Sequence, residues 1–220
     1  MKLLHRRTAA GARAKRATSE VARAGSRERH AAPDLRETIL AAAEELFVEG
    51  YAGFSMRKLA DRIGYSATTI YLYFKDQDDL FSQLMEENFR RLMEAFRHLD
   101  AVDDPVEKLK ALGRTYVRFG LENPHHYRLL FMIRPDIDAK RPPPGRLAQL
   151  AWQALQKAVE DVLTQSKSPR LDAEVASYAF WCSLHGLVSL RILPGKEIAP
   201  GKTKEIEGYL IDRLVSGLVG

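Results

Sequence analysis

Cysteine is almost absent from this chain. The single Cys182 among 220 residues excludes an intramolecular disulfide framework and fits a reducing compartment. No apolar run approaches the roughly 18 residues that would suggest a membrane span, so no membrane partner is expected. The N-terminus lacks the apolar stretch of a signal peptide, and a cytoplasmic location is expected. Alternation of apolar and polar residues, the mark of a half-buried strand, is missing throughout, and so is any internal repeat. What remains is 45% hydrophobic content in helical patterns, enough for one large core or two small ones.

Excess positive charge is also missing from most of the chain. The formal net charge is +5, yet residues 1–30 alone hold nine Lys/Arg against Glu20 and Glu28, a net +7, and the rest is −2. Such an Ala- and Arg-rich arm is expected to lack regular structure. It can hold phosphates without reading sequence, or be an idle or misassigned start, or resemble a transit peptide.

Helical periodicity begins after Pro33. Asp34 is placed to cap a helix whose apolar face is Leu35, Ile39, Ala43, Leu46 and Phe47, with Gly50 as its stop. Ser55 caps a short helix carrying Met56, Leu59, Ala60 and Ile63. Gly64 ends it, and Ser66 caps a second that runs through Ile70 to about Phe74. A long helix follows, with apolar residues from Leu80 to Leu99 at i, i+3, i+4 spacing. Pro105 opens another, Asn123-Pro124 breaks it, and a shorter helix carries Tyr127, Leu130, Phe131 and Met132. Residues 135–145 (PDIDAKRPPPG) cannot be regular, because consecutive prolines lack amide donors. Helices resume at about 146–166, 171–191 and 203–218. The chain reads as all-α, with roughly nine helices and three parts: an arm (1–32), a small helical unit (33–80) and a larger one (81–220).

The stretch SMRKLADRIGYSATTIYLYF (55–74) carries the most information. Two short helices around a glycine turn match a helix-turn-helix. Leu59, Ile63, Ile70 and Phe74 are spaced to pack inward. Ala67, Thr68, Thr69, Tyr71, Leu72 and Tyr73 are left outward. That face is uncharged, small at its N-terminal end and rich in hydroxyls. Hydroxyls can bond base edges or phosphates, and Thr and Ala methyls can meet a thymine methyl in the major groove. Threonines that cost helix propensity therefore suit a groove.

FSMRKLADRIGYSATTIYLYFKDQDDLF resembles the DNA-binding signature of the tetracycline-repressor (TetR) family of bacterial transcription regulators. The likeness extends over residues 34–81 and includes the Gly50-Tyr51-x-x-Phe54-Ser55 connection. It implies that Ala67, Thr68 and Thr69, with Ser66 at the helix start, lie against bases. Tyr71, Tyr73 and Lys75 would then face phosphates, with Ser55 and Arg57 near the backbone. Where the family usually has a phosphate-gripping lysine, this chain has Gln77. Residues 34–80 also carry five Lys/Arg against nine Asp/Glu, an unusual balance for a DNA-binding module.

The resemblance further implies a ligand cavity in the C-terminal helices and dimerisation through the last two. The sequence supplies Tyr116, Phe119, Phe131, Met132 and Trp152, which suit either an aromatic pocket wall or an ordinary core. Trp181-Cys-Ser-Leu-His185-Gly186 resembles the Trp-x-x-x-His-Gly signature of one branch of the family. Trp181 and His185 are i, i+4 neighbours that would border a pocket or dimer seam, or be buried in the core, and Gly186 would let another helix approach.

Two other classes have candidate residues. An enzyme would pair Cys182 with His185, but no third orienting group is evident and the cysteine reads as core. A metal site would gather His125, His126, His185 and Cys182, whose spacing matches no ligand pattern. The expectation is a homodimeric transcriptional regulator that binds a palindromic double-stranded operator and is released by an apolar or aromatic effector. It needs no cofactor and no metal and is not an enzyme. The alternative is a DNA-binding protein without an effector.

Overall fold

The computed structural model describes residues 34–133, 145–166, 171–193 and 201–219. The basic arm and most of the proline-rich stretch lie outside the described residues. By internal contacts the chain divides into Met1–Thr38 and Ile39–Gly220. Of the first unit only residues 34–38 are described. There Asp34 opens a helix, its carboxylate accepting the Arg36 N–H at 3.2 Å and its carbonyl the Thr38 N–H at 3.0 Å.

Among the described residues there are nine α-helices and no strand. In α1 (Leu35–Glu49), Ile39, Leu40, Ala43, Leu46 and Phe47 form the buried stripe. Gly50 ends it with φ 154°, a conformation that side-chain-bearing residues rarely adopt. A 3-10 turn (Tyr51–Gly53) then leads to Phe54, which is buried against Phe47 with ring centroids 4.1 Å apart.

α2 (Met56–Ile63) starts where the Ser55 hydroxyl accepts the Lys58 N–H at 3.2 Å. It stops at Gly64, which is left-handed (φ 72°), while the Tyr65 N–H bonds back to the Ala60 carbonyl at 3.1 Å. α3 (Ala67–Tyr71) is capped in the same way by Ser66. It ends at Tyr71, three residues short of the expected Phe74, because the next helix claims the following chain. The Asp76 carboxylate caps α4 (Gln77–Phe96) through the Asp79 N–H at 2.8 Å, and Asp79 takes the Lys75 N–H at 2.8 Å. α4 is also shorter than its periodicity predicts, since Arg97–Ala101 tightens into a 3-10 turn. It runs unbroken through the boundary expected at residue 80.

α5 (Pro105–Glu122) lies at the centre of the larger core, packed against α4, α6 (Pro124–Phe131), α7 (Arg146–Ser166), α8 (Ala173–Ile192) and α9 (Thr203–Val219). Its position follows from its sequence. Asp104 caps it, Pro105 occupies the first turn, and Leu109, Leu112, Tyr116, Val117 and Phe119 are buried around the helix. Two glycines let neighbours come close: Gly113 beneath Phe180 and Ile211, and Gly120 beneath Val188 and Tyr127.

Two expectations are corrected here. Cys182 is not a core residue but exposed, because α8 turns its Ala176, Phe180, Leu184 and Val188 face inward. On the same helix, nothing among the described residues lies within 4 Å of where a Gly186 Cβ would stand. Ile63, expected to pack inward, is only half-buried.

Candidate nucleic-acid interface and effector site

The helix-turn-helix is held from behind by apolar packing and one charged clamp. Leu59 and Ile70 are fully buried and Phe74 nearly so. Arg62 of α2 reaches Glu45 and Glu49 of α1, each at 3.0 Å. Part of the acidic excess is thus occupied locally. Glu45 and Glu49 hold Arg62, Asp76 and Asp79 hold backbone N–H groups, and Asp78 accepts from Tyr51 at 3.3 Å. Burial, reinforced by Asp78, pushes the Tyr51 hydroxyl above its usual range.

The outward face of α3 separates into two kinds of residue. Thr68, Tyr71 and Tyr73 are exposed, whereas Ala67 and Thr69 are half-buried. The Thr69 hydroxyl lies 2.8 Å from the Ser66 hydroxyl, and the Thr69 N–H donates to the same oxygen at 3.1 Å. Thr69 therefore also belongs to the cap, and Thr68 is the freer threonine. Arg57 and Lys75 are exposed, Ser55 is half-buried in its own cap, and Gln77 is half-buried at the first position of α4. Sequence reasoning placed Leu72 on this outward face without giving it a contact, and left Tyr65 out. Leu72 is 79% exposed and Tyr65 50%, on and beside the same face. Their signal was an apolar side chain where the helix had no core to meet.

The larger unit brings most of the aromatic candidates into one cluster. The Phe131 ring lies 5.9 Å from Tyr116, 6.1 Å from Trp181 and 5.8 Å from His185. Trp152 joins through Trp181 at 6.3 Å. Met132 and Phe119 pack in the surrounding core, Phe119 buried and Met132 partly so. Three members were missed: Tyr127, Phe89 and Tyr178. Tyr127 is fully buried with its ring 4.9 Å from Phe131, Phe89 lies 6.1 Å from Phe131, and Tyr178 lies 4.4 Å from Trp152. The i, i+4 spacing of Tyr127 and Phe131 was the available clue.

A hydrogen-bond chain runs through this cluster. Trp181 Nε1 donates to the Tyr116 hydroxyl at 3.0 Å. That hydroxyl lies 3.0 Å from the Tyr127 hydroxyl, which lies 2.7 Å from His185 Nδ1. Indole can only donate. If each hydroxyl then passes its proton onward, every donor in the chain is used and Nδ1 is the final acceptor. Burial keeps His185 below its ordinary range, which favours the neutral ring this direction needs, and raises both tyrosines. The remaining Nε2–H of the half-buried His185 is then a donor at the cluster's edge. Such a wall can hold an apolar or aromatic body and orient it with few polar contacts.

No cluster of three or more His, Cys, Asp or Glu suited to a metal occurs among the described residues. His126 contacts Glu44 while His185 contacts Tyr127. No described helix is long and apolar enough to cross a membrane.

Comparison with known proteins agrees with this layout. Residues 39–84 match the model of the bacterial regulatory proteins, tetR family, and residues 109–214 match a tetracyclin repressor-like C-terminal domain. A helix-turn-helix-type transcriptional regulator of Haemophilus influenzae is 35% identical over 98 residues, 44% of this chain and about half (52%) of that relative's length. One from Mycobacterium tuberculosis is 28% identical over 165 residues, 74% of this chain and 77% of its own. Among solved structures, the regulator FadR of Bacillus subtilis in complex with stearoyl-CoA superposes with a TM-score of 0.63 at 18% identity, covering 81% of this chain and 97% of that one. The first match covers the helix-turn-helix and the second most of the larger helical unit, and the chain belongs to the tetR family of transcriptional regulators.

Proposed function

We propose that the protein is a ligand-responsive repressor that binds a palindromic operator as a homodimer in the cytoplasm. Residues 33–80 carry DNA recognition, and residues 81–220 carry effector binding and dimerisation. The observation that carries the reading is the pair of serine-capped helices around Gly64, which leaves Thr68, Tyr71, Leu72 and Tyr73 exposed on one uncharged face. One recognition helix of five residues reads too few base pairs alone, so a two-fold partner is required. Val175, Tyr178 and Leu190 of α8 and Tyr209 and Val219 of α9 are exposed apolar residues suited to that contact. The effector has apolar or aromatic character, matching the cluster around Phe131, and the stearoyl-CoA held by the FadR relative is the first compound to test.

Selection of bound DNA from a random pool tests this reading. The expected result is an inverted repeat with half-sites about one helical turn apart, or a multiple of it, bound by a dimer in sedimentation. A selected site without inverted symmetry, or a monomer at working concentration, defeats it. Affinity unmoved by stearoyl-CoA and a wider apolar panel would favour DNA binding without an effector.

Gln77 supplies a second test. At the first position of α4 it can offer a DNA phosphate a neutral hydrogen bond, whereas a charge-assisted bond from lysine is about twice as strong. Gln77→Lys is expected to tighten binding on all sequences by about 1 kcal/mol and to steepen the salt dependence by about one phosphate contact. The opposing helix dipole should cost about 0.3–1 kcal/mol of stability. Equal affinities with parallel salt slopes would place position 77 away from DNA, and Lys75 with it.

A further inference from the structure

Among the described residues, three buried side-chain atoms make no well-formed hydrogen bond: Glu44 Oε1 on α1, and Nδ2 and Oδ1 of Asn88 on α4. Asn88 is fully buried and Glu44 is 9% exposed. Such atoms raise the free energy of the arrangement that contains them, which makes an alternative arrangement accessible. Asn88 is three residues from Arg91, the spacing that puts both on one side of α4. Arg91 reaches across the junction of α1, α4 and α6. Its Nη1 contacts His126 Nε2 and lies 4.0 Å from Glu44 Oε2, while its Nε lies 3.3 Å from Glu87 Oε1. His126 Nε2 is itself 3.2 Å from Glu44 Oε1.

One imidazole nitrogen thus faces both a donor and an acceptor. A bare Nε2 accepts an Arg91 N–H, and Glu44 Oε1 then receives no proton. An Nε2 that carries hydrogen donates to Glu44, and Arg91 must turn away toward Glu87. The two pairings exclude each other. The next residue of the same helix, Tyr127, bonds His185 of α8. α6 therefore carries, on adjacent residues, one contact to the first helix of the DNA-binding module and one to the aromatic cluster.

We propose that Glu44, Arg91 and His126 form a two-position interlock. Exchange of His126 between Arg91 and Glu44 reports the state of the Tyr127–His185 end to α1, which braces the recognition helices through Arg62. His126 is its positioning residue. The inference rests on the ligand-responsive reading above, and supplies the discrete two-state element that coupling between two sites requires.

The test needs no effector. Tyr127→Phe removes one hydroxyl at the cluster end, and affinity is read by fluorescence anisotropy on a duplex obtained by selection from a random pool. In the otherwise unaltered protein, Tyr127→Phe is expected to change Kd about fivefold or more. In a His126→Leu background the same change should stay within about twofold, as for independent sites. The choice of rescue separates an interlock from a simple tie between helices. His126→Gln can accept and donate, so it should restore the coupling. His126→Lys can only donate to Glu44, so it should not.

An equal Tyr127→Phe effect in both backgrounds overturns the proposal. So does no effect in either, or rescue by Lys and not by Gln. Thermal melts identify any variant that fails to fold. Arg91→Gln, which removes the competing cation, then replaces His126→Leu with the same expected loss of coupling. If the unaltered protein selects no duplex, the regulator reading itself has failed, an outcome visible before any variant is made.

Discussion

Phe47→Ala is expected to destabilise the protein by about 3–5 kcal/mol and to abolish DNA binding at physiological temperature. Phe47 is fully buried at the centre of an aromatic group, with Phe54 at 4.1 Å, Phe81 at 5.0 Å and Tyr51 at 5.3 Å. Those rings come from α1, the connection after it and α4, so one side chain ties three segments together. Truncation leaves a cavity that the stacked rings cannot close without moving α4 and, with it, the capped start beside α3. The module is small, and a loss of this size is a large share of typical domain stability. Denaturant unfolding of both proteins, paired with DNA binding on the selected duplex, reads the two effects. A loss under about 1 kcal/mol would mean that the rings repack freely.

The second large effect is expected at Gly120, where two contributions oppose each other. Alanine in place of a helical glycine gains about 1 kcal/mol in propensity. The new Cβ, however, would collide with Val188 Cγ1 and stand 2.8 Å from Tyr127 Cδ2. Neither neighbour can yield cheaply. Both are fully buried, and the Tyr127 hydroxyl has partners on two sides, Tyr116 and His185. Overpacking of this kind costs about 1–3 kcal/mol and occasionally more. With two rigid neighbours the upper end applies, so Gly120→Ala should destabilise by about 2 kcal/mol net. It should also disturb the hydrogen-bond chain that ends on Trp181, which makes indole fluorescence during urea unfolding a suitable readout. A stabilised variant would show that α5 and α8 separate easily, contrary to the packing described.

Local chemistry made the helix-turn-helix readable in advance. Ser55, Ser66 and Pro105 stand where the structure starts or caps helices, and Gly50 and Gly64 stand where it stops them. Each effect acts within four residues, through a hydroxyl that takes a nearby N–H or a glycine that accepts positive φ. The one serious boundary error, the extension of α3 to Phe74, arose where two local signals competed and the cap of α4 prevailed.

The aromatic site was half legible for a related reason. Periodicity says which side chains share a face, as with Trp181 and His185, but not which distant face covers them. Tyr127 is 58 residues from His185 in sequence and bonds it only because α6 and α8 meet over α5. Cys182 looked like core because its neighbours are apolar, yet α8 shows it outward.

The sequence by itself determined the helices, their caps and turns, the family and the outward face of α3, because those depend on interactions between residues close along the chain. Only the tertiary structure decided that Gly120 is the tight crossing, that Tyr127 links Tyr116 to His185, and that Glu44 meets His126. Each of these contacts joins separate helices, and their partners are chosen by how the helices pack around α5, which no stretch of sequence specifies alone.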